Sequence, residues 1–269
     1  MQELKWVPTP SFLYRNYLYL RIARSLPSNT YFLDIGSGNG DFVKKMLSLG
    51  FKGESLDYSP KAVSFMRRQM GKNPNINIRL GNIFTFKSQK KFDTIFAFET
   101  LEHIKDDGPC MEKIFQLLKP GGMFIMSVPA HMSLWDKVDE LKGHFRRYEK
   151  NDLVSQIEKT GFLLQKFWCY GFPFLNLIRL ISGSGALIES PVPGQKTQRT
   201  EESSIQLEYN PILAPFVTSP IITAPLYTIM GLFLHTDLGL GYILVAKKPI
   251  FQSAKIKSGT EISQKTIRA

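Results

Sequence analysis

Short apolar runs alternate along this chain with longer stretches in which apolar residues return every three or four positions. "TYFLDI" at 30–35 predicts a buried strand, and "DFVKKMLSL" at 41–49 predicts a helix with Phe42, Met46 and Leu49 on one face. "GESLDY" at 53–58 reads as the next strand, and Ser59 with Pro60, an N-cap and a first-turn proline, opens a helix over 61–70. "NINIRL" at 75–80 alternates as a half-buried strand does, whereas "FDTIFAF" at 92–98 is continuous, as in a buried one. Asp106 or Asp107 caps a helix running to Leu118, which "KPGG" ends before the strand "MFIMSV". A helix over 151–159, stopped by Gly161, precedes a strand over 162–168, and "GYILVAKKP" supplies a last one. This alternation predicts an α/β fold, doubly wound on a mostly parallel sheet with helices on both faces.

In such a sheet ligands sit beyond the carboxyl ends of the strands, so residues at those ends are the candidates for a site. The first strand ends in "DIGSGNG", with glycines at 36, 38 and 40 that let the backbone turn tightly and a ligand approach closely. The spacing is G-x-G-x-G, one residue short of the dinucleotide pattern, and Asp34 stands two positions before the first glycine. A carboxylate there repels a pyrophosphate and suits a cation; S-adenosylmethionine carries an ammonium and a sulfonium. The second strand ends at Asp57, where a carboxylate can accept hydrogen bonds from both ribose hydroxyls of an adenosine. After the third strand, Asn82 and Ile83 stand where an amide meets an adenine edge and an apolar side chain covers its face.

Asp34, "GSGNG", Asp57, "GNIF", "FDTIFAFETLEHI" and "LLKPGG" resemble, in order and spacing, the class I S-adenosylmethionine-dependent methyltransferases, over about Phe32 to Phe162. "SVPAH", "WDKVDELKGHFRRYEKNDL" and the leading "WVPTPSFLYR" are similar to a bacterial subgroup of these enzymes, related to the ubiquinone-pathway O-methyltransferases. The resemblance implies a Rossmann-like, seven-stranded sheet and S-adenosylmethionine as cofactor. It implies cofactor contacts from Asp34, Gly36, Ser37, Gly38, Gly40, Asp57, Tyr58, Asn82, Ile83 and Glu99. Asn82 stands where the family more often has Asp, and it keeps an acceptor.

The acceptor side is less specific. Glu99, Glu102 and His103 match an E-x-x-E-H pattern linked to a divalent cation in ubiquinone-pathway enzymes, but the same residues make ordinary cofactor and loop hydrogen bonds, and no metal is expected. His131 and His144 are the candidate general bases. Trp135, Arg147 and Tyr148 are candidate acceptor contacts, Arg146 and Arg147 through guanidinium forks that pair with phosphate or carboxylate. The position after the fourth strand reads "FETL", without the clamp of adenine N-methyltransferases, and Pro109–Cys110 falls a dozen residues beyond it, so nucleic acid is not the expected acceptor. A small-molecule or lipid-like acceptor is expected instead, with O-methylation favoured.

Between the last two strands, where a short connection would serve, lie two apolar stretches, 171–188 and 211–234, flanking a polar one. The second runs 24 residues without a charge. Its prolines at 211, 215, 220 and 225 argue against a regular spanning helix, so 171–240 reads as a helical cap inserted before the last strand. The expected organisation is a cofactor-binding domain of residues 1–170 with 241–250, this cap, and a disordered basic tail over 251–269. The tail from Lys247 holds six Lys or Arg against one Glu within a net charge of +11, which favours peripheral contact with an anionic membrane face. Two distant cysteines and no leader pattern at "MQELKWVPTP" point to the cytoplasm. Two other classes share the fold: a nicotinamide-dependent oxidoreductase, which gives Asp34 no task, and a non-catalytic binding protein, against which the intact loop and Asp57 speak.

Overall fold

The computed structural model describes residues 9–182 and 219–250. The expectations for the first eight residues, the polar stretch within 183–218 and the basic tail lie outside the described residues. Helix α1 (Pro10–Ala23) leads into a βα series: β1 (Tyr31–Ile35), α2 (Asp41–Ser48), β2 (Lys52–Asp57), α3 (Pro60–Met70), β3 (Ile76–Leu80) and β4 (Phe92–Phe98). There follow α4 (Asp107–Leu117), β5 (Leu118–Pro129), α5 (Lys137–Lys142), α6 (Lys150–Lys159), β6 (Leu163–Tyr170), α7 (Phe174–Ser182), α8 (Pro220–Leu232) and β7 (Gly241–Lys247). The seven strands lie in the order β3-β2-β1-β4-β5-β7-β6, with β7 antiparallel to both its neighbours and the other pairs parallel.

The period-two pattern divides the core into two layers. Leu33, Ile35, Ile95 and Phe124 face α4 and α6 through Met111, Ile114, Leu153 and Ile157. Phe32, Phe96, Ile125 and Ile243 face α1 and α2 through Tyr14, Leu18, Phe42 and Met46. Phe32 and Phe96 are fully buried, which stabilises the fold by about 1.5–3 kcal/mol for each ring. Helix α3 starts as its sequence predicts, with the Ser59 hydroxyl accepting the Ala62 N–H at 3.2 Å and Pro60 in the first turn.

Three local expectations are corrected. Leu49 is not on the buried face of α2: the helix ends at Ser48, Gly50 turns the chain at φ +86°, and Val43 joins Phe42 and Met46 in the core. "KPGG" does not precede β5 but lies within it, as an irregularity that sets Leu118 opposite Phe92 and Met123 opposite Thr94. Gly121, at φ +77°, donates its N–H to the Lys248 carbonyl there. Asp106 precedes α4 without a side-chain cap, and Asp107 accepts from the Tyr148 hydroxyl and the Gln156 amide instead.

Of the inserted stretch, α7 and α8 are described, and α8 accommodates Pro225 in its interior. Tyr227 packs on Tyr14 and Tyr17 with ring centroids 4.9 and 5.1 Å apart, so α8 backs α1. Arg179 ties α7 to Asp136, the N-cap of α5, at 2.6 Å. Among the described residues no helix is long and apolar enough to cross a membrane.

Candidate active site

A cavity of about 630 Å³ opens at the carboxyl ends of β1, β2 and β4. It is lined by Asp34, Gly36, Ser37, Gly38, Asp57, Tyr58, Asn82, Ile83 and Glu99, nine of the ten residues expected to meet a cofactor. Gly40 is the exception. A Cβ there would stand 2.6 Å from the Met66 side chain, and one at Gly36 would stand 2.5 Å from the Thr100 hydroxyl. Both glycines also adopt positive φ, so the bare backbone at these two positions is demanded by the protein's own packing rather than by a ligand. Gly38 donates its N–H to Asp57 Oδ2 at 2.8 Å, while Asp57 Oδ1 accepts from Ser59 N at 2.8 Å. The acid that ends β2 therefore also fixes the loop that ends β1.

Burial pushes the Asp34 carboxyl up to about 7, with the nearby Asp57 charge adding to the rise. A cation entering the cavity would relieve both effects. Asn82 Oδ1 accepts the Phe84 N–H at 2.9 Å, which orients the side-chain amide at the cavity wall. Glu99, at φ +49°, is held by an ion pair with Arg15 and by the Ser127 hydroxyl at 2.8 Å, and Ser127 contacts the Tyr19 hydroxyl at 2.6 Å. Helix α1 thereby walls the cavity with Phe12, Arg15, Asn16 and Tyr19, four residues that the sequence reading did not single out. Neither α7 nor α8 lines it, so the described part of the insertion supports the wall rather than covering the opening.

The acceptor candidates separate. His144 lines the cavity; His131, Trp135, Arg147 and Tyr148 do not. The Arg147 guanidinium is buried on Asp139 Oδ2 at 2.8 Å and on the Ala130 carbonyl at 3.2 Å, and the Tyr148 hydroxyl donates to Asp107 at 2.7 Å. Both side chains are engaged within the protein, away from the cavity wall. Arg146 is likewise paired with Asp107, at 2.9 Å. Trp135 is half-buried at the end of a short 3-10 turn.

Asp139, which the sequence reading missed, organises this side. It is the third residue of a capping box on α5 with Asp136, and its Oδ1 meets His144 Nδ1 at 2.8 Å. Against the upward push of burial, the hydrogen bonds from His144 and Arg147 hold its carboxyl at about 2. Burial lowers the His144 imidazole, and Asp139 opposes this only in part. Beside it, His103 packs edge-on with ring centroids 4.7 Å apart, lowered to about 3 by burial and by the His144 and Lys142 charges. Glu102 is fully buried, neither carboxylate oxygen has a partner among the described residues, and burial raises it well above the usual range. Ligand atoms of Glu102, His103 and His144 lie within 4.8 Å of one another, so the metal candidate of the sequence is regrouped, with His144 in place of Glu99.

A family model described as a methyltransferase domain matches residues 26–170, just over half of the chain. Malonyl-[acyl-carrier protein] O-methyltransferase 1 of Ilyobacter polytropus is 25% identical over 171 residues, covering 58% of this chain and 64% of that protein. A ubiquinone biosynthesis O-methyltransferase of Nitrobacter winogradskyi is 28% identical over 155 residues, covering 47% and 59%. The chain thus spans less than two thirds of the length of either relative. Among solved structures, Haemonchus contortus phosphoethanolamine N-methyltransferase 2 in complex with S-adenosyl-L-methionine shares the fold, with a TM-score of 0.58 and 18% identity over 87% of this chain and 52% of that one.

Proposed function

This chain belongs to the methyltransferase-domain family of class I S-adenosylmethionine-dependent enzymes, and from that premise we propose that it transfers a methyl group to a hydroxyl of a small or lipid-like acceptor. One observation carries the reading: a single cavity joins a cation-seeking acid, a glycine loop and an acid at the end of β2 to His144, which is backed by the buried Asp139. The residues fit S-adenosylmethionine. Asp34 takes the ammonium, Asp57 the ribose hydroxyls, the Asn82 amide the adenine edge, and Ile83 covers the adenine face. The bound cofactor supplies an electrophilic methyl on a sulfonium.

His144 then acts as general base. Its Nδ1–H donates to Asp139, which leaves Nε2 as the basic nitrogen and stabilises the imidazolium once the acceptor proton arrives. Burial keeps the imidazole neutral at physiological pH and so able to take that proton. Glu102 stands beside it, its carboxyl pushed well above the usual range by burial. The remaining work is alignment and exclusion of water, to which α1 contributes by walling the cavity through the Arg15–Glu99 pair.

The lipid-like half of the reading rests on α7 and α8, where Leu180, Ile181, Ile221 and Leu232 are each more than three-quarters exposed. On a protein of net charge +11 these residues suit contact with an anionic membrane face, where each nearby Lys or Arg contributes about 1 kcal/mol. Calorimetry with S-adenosylmethionine, S-adenosylhomocysteine and NAD tests the cofactor: the first two bind and NAD does not, and the reverse would overturn the reading. Mass spectrometry of cell extracts incubated with labelled donor identifies the acceptor. Flotation with phosphatidylglycerol liposomes, losing strength as salt rises, tests the membrane contact; protein left at the bottom at low salt would end that part.

A further inference from the structure

At the other end of the sheet a second cluster lies outside the cavity. His131 follows β5 at φ +60°, Cys169 is on β6, and Asp237 precedes β7. Ligand atoms of these three residues lie within 4.8 Å of one another. His131 Nε2 is buried and without a hydrogen-bond partner, although Asp237 Oδ1 stands 3.6 Å away. The buried His144–Asp139 pair closes to 2.8 Å, whereas His131 and the half-exposed Asp237 stand 3.6 Å apart, beyond hydrogen-bond reach. A tetrahedral cation with bonds of 2.0–2.3 Å holds its ligands about 3.3–3.8 Å apart, and the gap has that size.

We propose that His131 Nε2, Cys169 Sγ and Asp237 Oδ1 form a binding site for a zinc-like divalent cation that joins β5, β6 and β7 at their cavity-side ends. One imidazole, one thiolate and one carboxylate suit a borderline-soft cation better than magnesium or calcium. The surroundings fit. Gly239 donates its N–H to Cys169 Sγ at 3.0 Å, and Tyr242 donates its hydroxyl to Asp237 Oδ1 at 2.7 Å. Behind the imidazole, the Tyr242 hydroxyl lies 3.4 Å and Glu149 Oε2 3.6 Å from His131 Nδ1, the carboxylate just beyond hydrogen-bond reach. Asp237 is 43% exposed and gives the cation access, with room for water as a fourth ligand.

Cobalt(II) reports the site without reference to activity. Titrating the full chain, purified without a metal-chelating tag, should give one thiolate-to-cobalt charge-transfer band that saturates at one equivalent and is bleached by zinc. The cluster of Glu102, His103 and His144 has no sulfur and cannot produce that band. Cys169→Ser should abolish it and Cys110→Ala should retain it, Cys110 being the chain's other cysteine. Asp237→Asn, at an exposed position, should weaken cobalt at least tenfold with an unchanged circular dichroism spectrum. Absence of the band in the wild type, its survival in Cys169→Ser, or unchanged affinity in Asp237→Asn would each overturn the proposal. If Cys169→Ser does not fold, the wild-type and Asp237→Asn results decide.

Discussion

At the carboxyl ends of β1 and β2 the chain turns back within a few residues, and the glycine loop and Asp57 are fixed by neighbours close in sequence or in register. Asp57 caps its own turn through Ser59 and reaches one strand across to Gly38. At the β5–β7–β6 end, His131, Cys169 and Asp237 come from three separate elements and meet only because β7 runs antiparallel between its neighbours. The first region is held together by backbone and short-range geometry, so it leaves a motif. The second is assembled by topology alone, and each of its residues looks ordinary by itself.

The largest effect should separate the cavity's two functions. His144→Gln keeps a donor for Asp139 and leaves the Asp139–Arg147 pair intact, so the fold should survive. Losing a general base costs about 10²–10⁴-fold in kcat. S-adenosylhomocysteine should still bind within about threefold of wild type, because the cofactor groups lie on the other strands. A normal kcat would return His144 to a positioning role.

How much of this was legible follows the same division. The strands and the order of the motifs could be read because hydrophobic runs and glycine spacing are local signals, and nine of the ten residues expected to meet a cofactor line one cavity. Glu102 and His103 were visible as a pattern, but His144 joins them only through the loop that donates Phe145 N–H to the Glu102 carbonyl. Arg147 and Tyr148 looked like acceptor contacts because guanidinium and phenol chemistry fits anions; the fold spends both on Asp139 and Asp107. Asp139 had one available sign, the capping-box spacing in "WDKVDEL", which marks a helix start and conceals a second use for the same carboxylate.

On the cofactor side, Asp57→Ala removes the anchor of Gly38 as well as the proposed ribose contacts. Loss of hydrogen bonds to a charged acceptor costs about 1.5–3 kcal/mol, so the dissociation constant for S-adenosylhomocysteine should rise roughly ten- to hundredfold. An unchanged constant by calorimetry would sink the cofactor assignment.

Asp34 gives a smaller, pH-dependent signature. Its carboxyl is raised to about 7 without ligand, so below that pH it is mostly protonated, and a cationic ligand must expel the proton to form the pair. Affinity for S-adenosylmethionine should therefore weaken as pH falls below about 7, by up to roughly tenfold per unit. Calorimetry in buffers of different ionisation heat should count close to one proton released near pH 6 and, near pH 8, where the ligand's own α-amine is partly deprotonated, a net uptake of a fraction of a proton. Equal release at both would mean that Asp34 does not meet the positive group.

The smallest effect on the cavity should come from taking metal away. If the cation belongs to His131, Cys169 and Asp237, EDTA removes a ligand that binds only the folded state, so the melting temperature should fall. The cavity shares no residue with that cluster, and S-adenosylhomocysteine should bind within about twofold as before, since well-separated sites act nearly independently. Turnover should be unaffected for the same reason. A collapse of turnover under EDTA, reversed by Mg²⁺ without recovery of the melting temperature, would place the working metal at Glu102, His103 and His144. His144 would then be a ligand rather than a base, because a nitrogen bound to a cation cannot also accept the acceptor's proton.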